Sequence, residues 1–86
     1  MYIIVVYDVA QERVNKVCQF LRQYLNWIQN SAFEGEVNES TLEKIKIGIK
    51  KLIKEKDSII IFKVVSQKWI EKEIIGEEKV KITRII

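Results

Sequence analysis

Two long apolar runs lie near the start and in the second half of this chain. The first, YIIVVY at residues 2–7, is followed by the carboxylate Asp8, and the second, IIIFKVV, covers residues 59–65. Neither run alternates cleanly between apolar and polar side chains, which is typical of strands that are buried on both faces. We therefore predict two buried strands, the first of them central in a sheet.

Two other segments carry apolar residues at helical spacing. The first predicts a helix over Glu12–Leu25, and the second predicts a helix that begins near Ser40, where Ser40 and Glu43 fit a capping box. Each helix has one apolar face that should pack against the sheet. The apolar positions are Val14, Val17, Cys18, Leu21 and Leu25 in the first helix and Leu42, Ile45, Ile49, Leu52 and Ile53 in the second.

The remaining segments favour extended structure. Residues 27–37, WIQNSAFEGEV, predict one bent strand or two short ones, with Gly35 at a bend or bulge. The segment KWIEKEIIG follows the second apolar run, and its Trp69 is expected to anchor a contact within the sheet or a dimer. The final residues, KVKITRII, alternate as an edge strand does, so Val80–Ile86 should pair with a neighbouring chain.

This order of elements predicts a ferredoxin-like α/β plait (βαββαβ) with an extra C-terminal strand, formed by one domain over residues 1–86. Both helices of such a plait cover the same face of the sheet. The two apolar runs leave the opposite face apolar as well, and a second sheet from an identical subunit would cover it. We therefore expect a sheet-to-sheet homodimer.

Composition narrows the chemistry. The chain has 86 residues, one cysteine and no histidine, so a disulfide framework or a zinc site is not expected, and any metal should be a hard cation bound by oxygen. No apolar run is long enough to span a membrane, and the N-terminus lacks the features of a signal peptide. We expect a cytoplasmic protein without a membrane partner.

Charge is distributed unevenly along the chain. Residues 1–40 carry three bases against five acids, a net charge of −2, whereas residues 41–86 carry twelve bases against seven acids, a net charge of +5. A basic surface attracts nucleic acid through counterion release, so DNA or RNA is a reasonable partner. A merely solvated surface of lysine and glutamate is the alternative.

Asp8 has two interpretations. Its carboxylate could cap the turn that leads into the first helix. Alternatively, a two-fold axis near the strand end would bring two copies of Asp8 together, where their like charges would need a bridging cation. Mg²⁺ suits this arrangement, because it binds through one or two carboxylates and keeps several waters.

The strand-final Tyr7-Asp8, together with the later segment IQNSAFEGEV at residues 28–37, resembles the small CRISPR-associated endoribonuclease family, the smaller of the two universal proteins of CRISPR adaptation. The resemblance extends over essentially the whole chain. It implies a ferredoxin-like dimer that holds a divalent cation, Mg²⁺, between paired copies of Asp8. It also implies metal-dependent nuclease activity, with Asp8 as the catalytic residue, and a role as the bridge between integrase dimers that insert new spacers.

Several other residues match positions of the family. Arg13 and Lys16 correspond to basic positions that could hold phosphate, and the exposed bases Lys50 and Lys54 are candidates for the same role. Tyr7, Ser31 and Phe33 could support the site, although a core role suits Tyr7 and Phe33, and Ser31 could be an ordinary strand hydroxyl. Family members usually end the first helix with glycine. This chain has Leu25 there, so Asn26 is expected to provide a left-handed cap.

Three functions follow from these observations. The chain could be a metal-dependent endoribonuclease in which paired Asp8 carboxylates hold Mg²⁺. It could instead be a dimeric adaptor that binds DNA and bridges the CRISPR integrase during spacer acquisition. The alternative is an effector-binding regulatory module, because the ferredoxin-like plait serves many functions.

Overall fold

A computed structural model describes residues 1–65 and 70–76 of the chain. Trp69 and the predicted edge strand Val80–Ile86 lie outside these residues. The elements, in chain order, are strand β1 (Tyr2–Asp8), helix α1 (Gln11–Leu21), strands β2 (Asn26–Gln29) and β3 (Ala32–Glu36), helix α2 (Glu39–Leu52) and strand β4 (Ser58–Val64). This sequence of elements confirms the predicted βαββαβ plait.

The strands form one antiparallel sheet in the order β2-β3-β1-β4. The position of β1 between β3 and β4 confirms that the first apolar run is a central strand. The prediction that the second run is buried on both faces is wrong for the described chain, because β4 is at the edge of its sheet and Ile60 and Phe62 are 52% and 54% exposed. The second run is therefore apolar on a face that its own chain leaves open.

One face of the sheet carries both helices and the core. Ile3, Val5 and Tyr7 point to this face from β1, since alternate strand residues share a face. They pack in a single buried cluster with residues of both helices and with Phe33 of β3. The helix residues of this cluster are Val17 and Leu21 from α1 and Leu42, Ile45 and Ile49 from α2.

The opposite, helix-free face is apolar along two neighbouring strands. Tyr2, Ile4 and Val6 of β1 are paired with Val64, Phe62 and Ile60 of β4, respectively, so their side chains form adjacent rows. We call these six residues the apolar face. On the neighbouring β3, Glu34 points to the same side and pairs with Lys72 from the segment that follows β4.

The ends of both helices differ from their predicted positions. Helix α1 ends at Leu21, and the chain then turns through hydrogen bonds such as that from the Leu25 amide to the Leu21 carbonyl. Asn26 begins β2 and is not a left-handed cap; among described non-glycine residues only Asn30 has a positive φ, of 45°. Helix α2 begins two residues earlier than the capping box implied, because the Asn38 side chain accepts a hydrogen bond from the Thr41 amide.

Residues 27–37 contain two strands, with the turn around Asn30 between them. The irregularity in their pairing lies between Trp27 and Gln29 in β2, so the prediction of a bend or bulge at Gly35 is wrong. Gly35 pairs regularly with Ile3. A Cβ atom at Gly35 would lie 3.0 Å from Leu25 Cδ2, so a close approach of Leu25 accounts for this glycine.

Within residues 1–65 and 70–76, neither helix is long and apolar enough to cross a membrane.

Candidate functional site

Asp8 is an exposed carboxylate at the last paired position of β1, opposite Ser58 of β4. The N-cap of α1 is Ala10, and no side chain caps it, so the interpretation of Asp8 as a helix cap is wrong. The side-chain carboxylate of Asp8 makes no hydrogen bond or ion pair with any residue that the structure describes. With respect to these residues, its oxygens are open to a cation or another polar ligand.

Asp57 lies beside this strand end and is the most heavily bonded carboxylate among the described residues. Its side chain is 3% exposed. Asp57 Oδ1 accepts hydrogen bonds from the Ala10 amide at 3.0 Å and from Arg13 Nη2 at 3.0 Å. Asp57 Oδ2 accepts from Arg13 Nε at 2.6 Å and from the Lys54 amide at 2.9 Å. The carboxylate thus joins the β1–α1 loop, helix α1 and the α2–β4 loop.

The charge pair of Arg13 and Asp57 shifts both groups toward their ionised forms. The hydrogen bonds from Arg13, and those from the Lys54 and Ala10 amides, lower the pKa of Asp57 well below its usual value. The hydrogen bonds to Asp57 in turn raise the pKa of Arg13. A two-point contact of this kind stabilises the charge pair and also fixes the orientation of the guanidinium. Arg13 Nη1 also lies 3.7 Å from Glu12 Oε2.

A surface cleft of about 500 Å³ joins Asp8 to this pair. The structure places Asp8, Arg13 and Lys54, three of the predicted site residues, together in its lining. Lys16 and Lys50 are exposed but are not part of the lining. The complete lining is Asp8, Val9, Ala10, Arg13, Lys54, Glu55, Lys56 and Asp57.

Tyr7 and Phe33 belong to the core on the helix side of the sheet. Phe33 is fully buried and its ring centroid lies 6.1 Å from that of Tyr7, so stacking of Phe33 on a base is wrong for this structure. The Tyr7 hydroxyl contacts Cys18 Sγ at 2.9 Å and donates to the Asn30 carbonyl at 3.3 Å. Burial, with the neighbouring Cys18 thiol, raises the pKa of Tyr7 to about 12.

Ser31 lies at the turn between β2 and β3. Its backbone carbonyl accepts a hydrogen bond from the Tyr7 amide at 3.0 Å. Ser31 therefore contacts the end of β1 through its backbone, next to the residue that precedes Asp8.

The sequence identified Asp57 only as a turn residue before β4. Its partners Ala10 and Arg13 are 47 and 44 residues away along the chain. No local pattern marks such a contact, because the pairing exists only after β1 and β4 align. The sequence offered no signal that separates Asp57 from Glu55, the other acid that follows the lysine-rich end of α2.

Asp8 could serve as a ligand of a hard cation, and a second molecule could supply a further carboxylate. Within the described ranges, no three Asp, Glu, His or Cys side chains form a group suited to a metal ion. Mg²⁺ is commonly bound by one or two carboxylates with water in its remaining positions. Two copies of Asp8 would match that requirement.

Comparison with known proteins identifies close relatives. Residues 1–72 match the family model described as CRISPR associated protein Cas2. The protein named CRISPR-associated endoribonuclease Cas2 from Pyrococcus furiosus is 56% identical, and the protein of the same name from Thermococcus kodakarensis is 54% identical. Each of these alignments covers 100% of both chains.

Solved structures share the fold. A crystal structure of cas2 matches with a TM-score of 0.89 and 41% identity, and the match covers 100% of this chain and 98% of that one. The crystal structure of Streptococcus pyogenes Cas2 at pH 6.5 matches with a TM-score of 0.71 and 30% identity, over 85% of this chain and 99% of that one.

Proposed function

The chain belongs to the Cas2 family of CRISPR-associated proteins, and we propose that it is a metal-dependent endoribonuclease that acts as a homodimer. The observation that carries this proposal is the exposed carboxylate of Asp8, unpaired among residues 1–65 and 70–76, at the end of the central strand and within a cleft that also holds Lys54. The names of the relatives from Pyrococcus and Thermococcus support an endoribonuclease activity. Family membership also favours this function over an effector-binding regulatory module.

The homodimer follows from the apolar face. Ile60 and Phe62 expose about half of their surface in the isolated chain, next to Ile4 and Val6 of β1. Burying such side chains stabilises an association by about 25 cal/mol for each Å² of apolar surface removed from water. A second copy is the proposed occupant, because a two-fold interface places identical apolar surfaces against each other.

The proposed cation site lies between the two copies of Asp8. Mg²⁺ held there by the two carboxylates would activate a water and stabilise the charge on the phosphate. Lys54 would attract the RNA backbone to the cleft. Asp57 and Arg13, which are bonded to each other, would keep the walls of the cleft in place.

The test is Asp8→Asn, which retains the size of the side chain and removes its charge. We expect loss of Mg²⁺-dependent cleavage of single-stranded RNA, since a neutral amide is a far weaker ligand for a hard cation. The unfolding midpoint should remain unchanged, because Asp8 is exposed and caps no helix. Glu55→Gln, in the same cleft, is the control for removal of one negative charge. Full cleavage by the Asp8 variant would contradict the proposal.

A second proposed function is that of an adaptor in CRISPR spacer acquisition, in which the cytoplasmic dimer binds DNA and bridges the integrase. The observation that favours it is the group of exposed lysines on and just after α2, of which only Lys54 also lines the cleft of Asp8. These are Lys44, Lys50, Lys51 and Lys54. In this role Asp8→Asn should leave dimerisation, DNA binding and integration by the partner integrase intact. Loss of integration with all binding steps preserved would contradict the adaptor function.

A further inference from the structure

Three segments of the chain meet at the buried carboxylate of Asp57. One hydrogen bond reaches it from the Ala10 amide, two from the Arg13 side chain and one from the Lys54 amide. A carboxylate that accepts several hydrogen bonds in a fixed geometry also fixes the groups that donate them. The β1–α1 loop therefore depends on Asp57 for its position.

Asp8 directly precedes this loop, and its carboxylate makes no hydrogen bond or ion pair to the described residues. On one side, its backbone is held by the last pair of the β1–β4 ladder, in which Asp8 lies opposite Ser58. On the other side, the first side-chain contact to the loop is the one from Asp57 to Ala10, two residues after Asp8. Since Ser58 follows Asp57 directly, both constraints originate in the same short segment at the start of β4.

We propose that Asp57 is a positioning residue for Asp8: it holds the β1–α1 loop so that the Asp8 carboxylate faces the proposed cation site. The role of Asp57 in the reaction rests on the proposed endoribonuclease function. Arg13 contributes to the same arrangement, because its guanidinium donates two hydrogen bonds to Asp57 and so orients that carboxylate. Residues that orient a metal ligand commonly change metal affinity or activity by about 10- to 100-fold when they are replaced.

The experiment compares Asp57→Asn with the wild-type chain in two measurements. The first is hydrogen exchange of the Asp8 and Val9 amides, expressed relative to the amide of Val5 in the buried part of β1. Global destabilisation raises exchange at all three positions, whereas loss of the loop contact raises it selectively at Asp8 and Val9. The second is the Mg²⁺ concentration that gives half-maximal cleavage of single-stranded RNA.

In Asp57→Asn we expect faster amide exchange at Asp8 and Val9 than at Val5. We also expect a rise of about tenfold or more in the half-saturating Mg²⁺ concentration. Arg13→Lys keeps the positive charge but loses the two-point contact, so it should show the same changes to a smaller extent. If the Asp57 variant fails to fold, the Arg13 variant replaces it in both measurements. Glu43→Gln is the matched control, because it removes a carboxylate that is paired with Lys46 on the surface of α2.

Each result decides the matter. Unchanged relative exchange at Asp8 and Val9 would overturn the positioning role, whether or not the protein cleaves RNA. Faster exchange at Asp8 and Val9 alone, with an unchanged half-saturating Mg²⁺ concentration, would show that the loop position has no influence on the reaction. This result would also overturn the positioning role of Asp57. A wild-type protein that cleaves no RNA contradicts the endoribonuclease function, and the exchange measurement then decides by itself whether Asp57 fixes the loop of Asp8.

Discussion

The ring of Phe20 on α1 lies directly over Gly48 on α2. A Cβ atom placed on Gly48 would be 2.1 Å from Phe20 Cζ and 2.5 Å from Cε1, far inside van der Waals contact. Phe20 is held there by an edge-on contact with Tyr24, whose ring centroid is 5.5 Å away. The two helices therefore pack closely only because Gly48 has no side chain.

In Gly48→Ala the added methyl group should overpack the contact with Phe20, at a cost of about 1–3 kcal/mol. Alanine gains about 1 kcal/mol over glycine in helix propensity, so the free energy of unfolding should fall by up to about 2 kcal/mol. Denaturant unfolding measures the change. Phe20→Leu in the same chain should recover part of the stability, and strictly additive effects of the two substitutions would contradict the contact.

Ile60→Glu should convert the dimer to monomers, because it places a charge within the apolar face. Ile47→Glu is the matched control: Ile47 on α2 is 53% exposed, and Ile60 is 52% exposed, but Ile47 lies outside the proposed interface. Sedimentation velocity at micromolar concentration distinguishes the two. Equal effects of both substitutions, or a wild-type chain that is already monomeric, would contradict a dimer formed through this face.

Lys50→Glu combined with Lys54→Glu should weaken DNA binding and flatten its dependence on salt. Each phosphate contact contributes about 0.9 to the slope of log affinity against log salt, so the double variant should lose up to about two units. Fluorescence anisotropy over a series of salt concentrations gives the slope. Lys63→Glu, which alters an exposed base on β4, is the control. An unchanged slope would mean that DNA binds elsewhere.

Because of Tyr7, the free energy of unfolding should fall at alkaline pH. Its pKa is raised to about 12 in the folded chain, against the ordinary value of 10.0, so the fold favours the neutral phenol. The stabilisation is complete below about pH 10 and is lost as the pH rises through 12. Tyr7→Phe should be less stable at neutral pH and should lose less stability between pH 10 and 12.

Tyr24→Phe is the control for the Tyr7 substitution, since both variants retain the Cys18 thiol. Ultraviolet absorbance of tyrosinate should show one of the three tyrosines titrating last in the wild-type chain. If this last titration step disappeared in the Tyr24 variant and persisted in the Tyr7 variant, the group with the raised pKa would not be Tyr7.

The sequence by itself determined the class of fold and the central position of β1. The run YIIVVY is apolar at every position, which is typical of a strand covered on both faces. Helical spacing located both helices, and Tyr7-Asp8 together with the segment at residues 28–37 identified the family. These features are local, or repeat at short intervals, so they can be read before any long-range contact is known.

The ends of elements were less predictable, because they depend on competing local contacts. Asn38 and Ser40 are both suitable N-caps, and the hydrogen bond to Thr41 selects Asn38. Leu25 extends the apolar spacing of α1 by one turn, but in the structure it lies past the end of the helix and packs beside Gly35. A buried leucine is compatible both with a last helical turn and with a position past the end of the helix. The spacing of Leu25 therefore could not locate the end of α1.

Tertiary structure alone decided the environment of Asp8. Whether this carboxylate caps α1 depends on the path of the chain between β1 and α1, and in the structure Asp57 accepts a hydrogen bond from the Ala10 amide while Asp8 caps no helix. The same contact pairs Arg13 with a carboxylate 44 residues away. Such a contact forms only when β1 and β4 align, and sequence spacing carries no information about it because the energy of the contact depends on distances that folding creates.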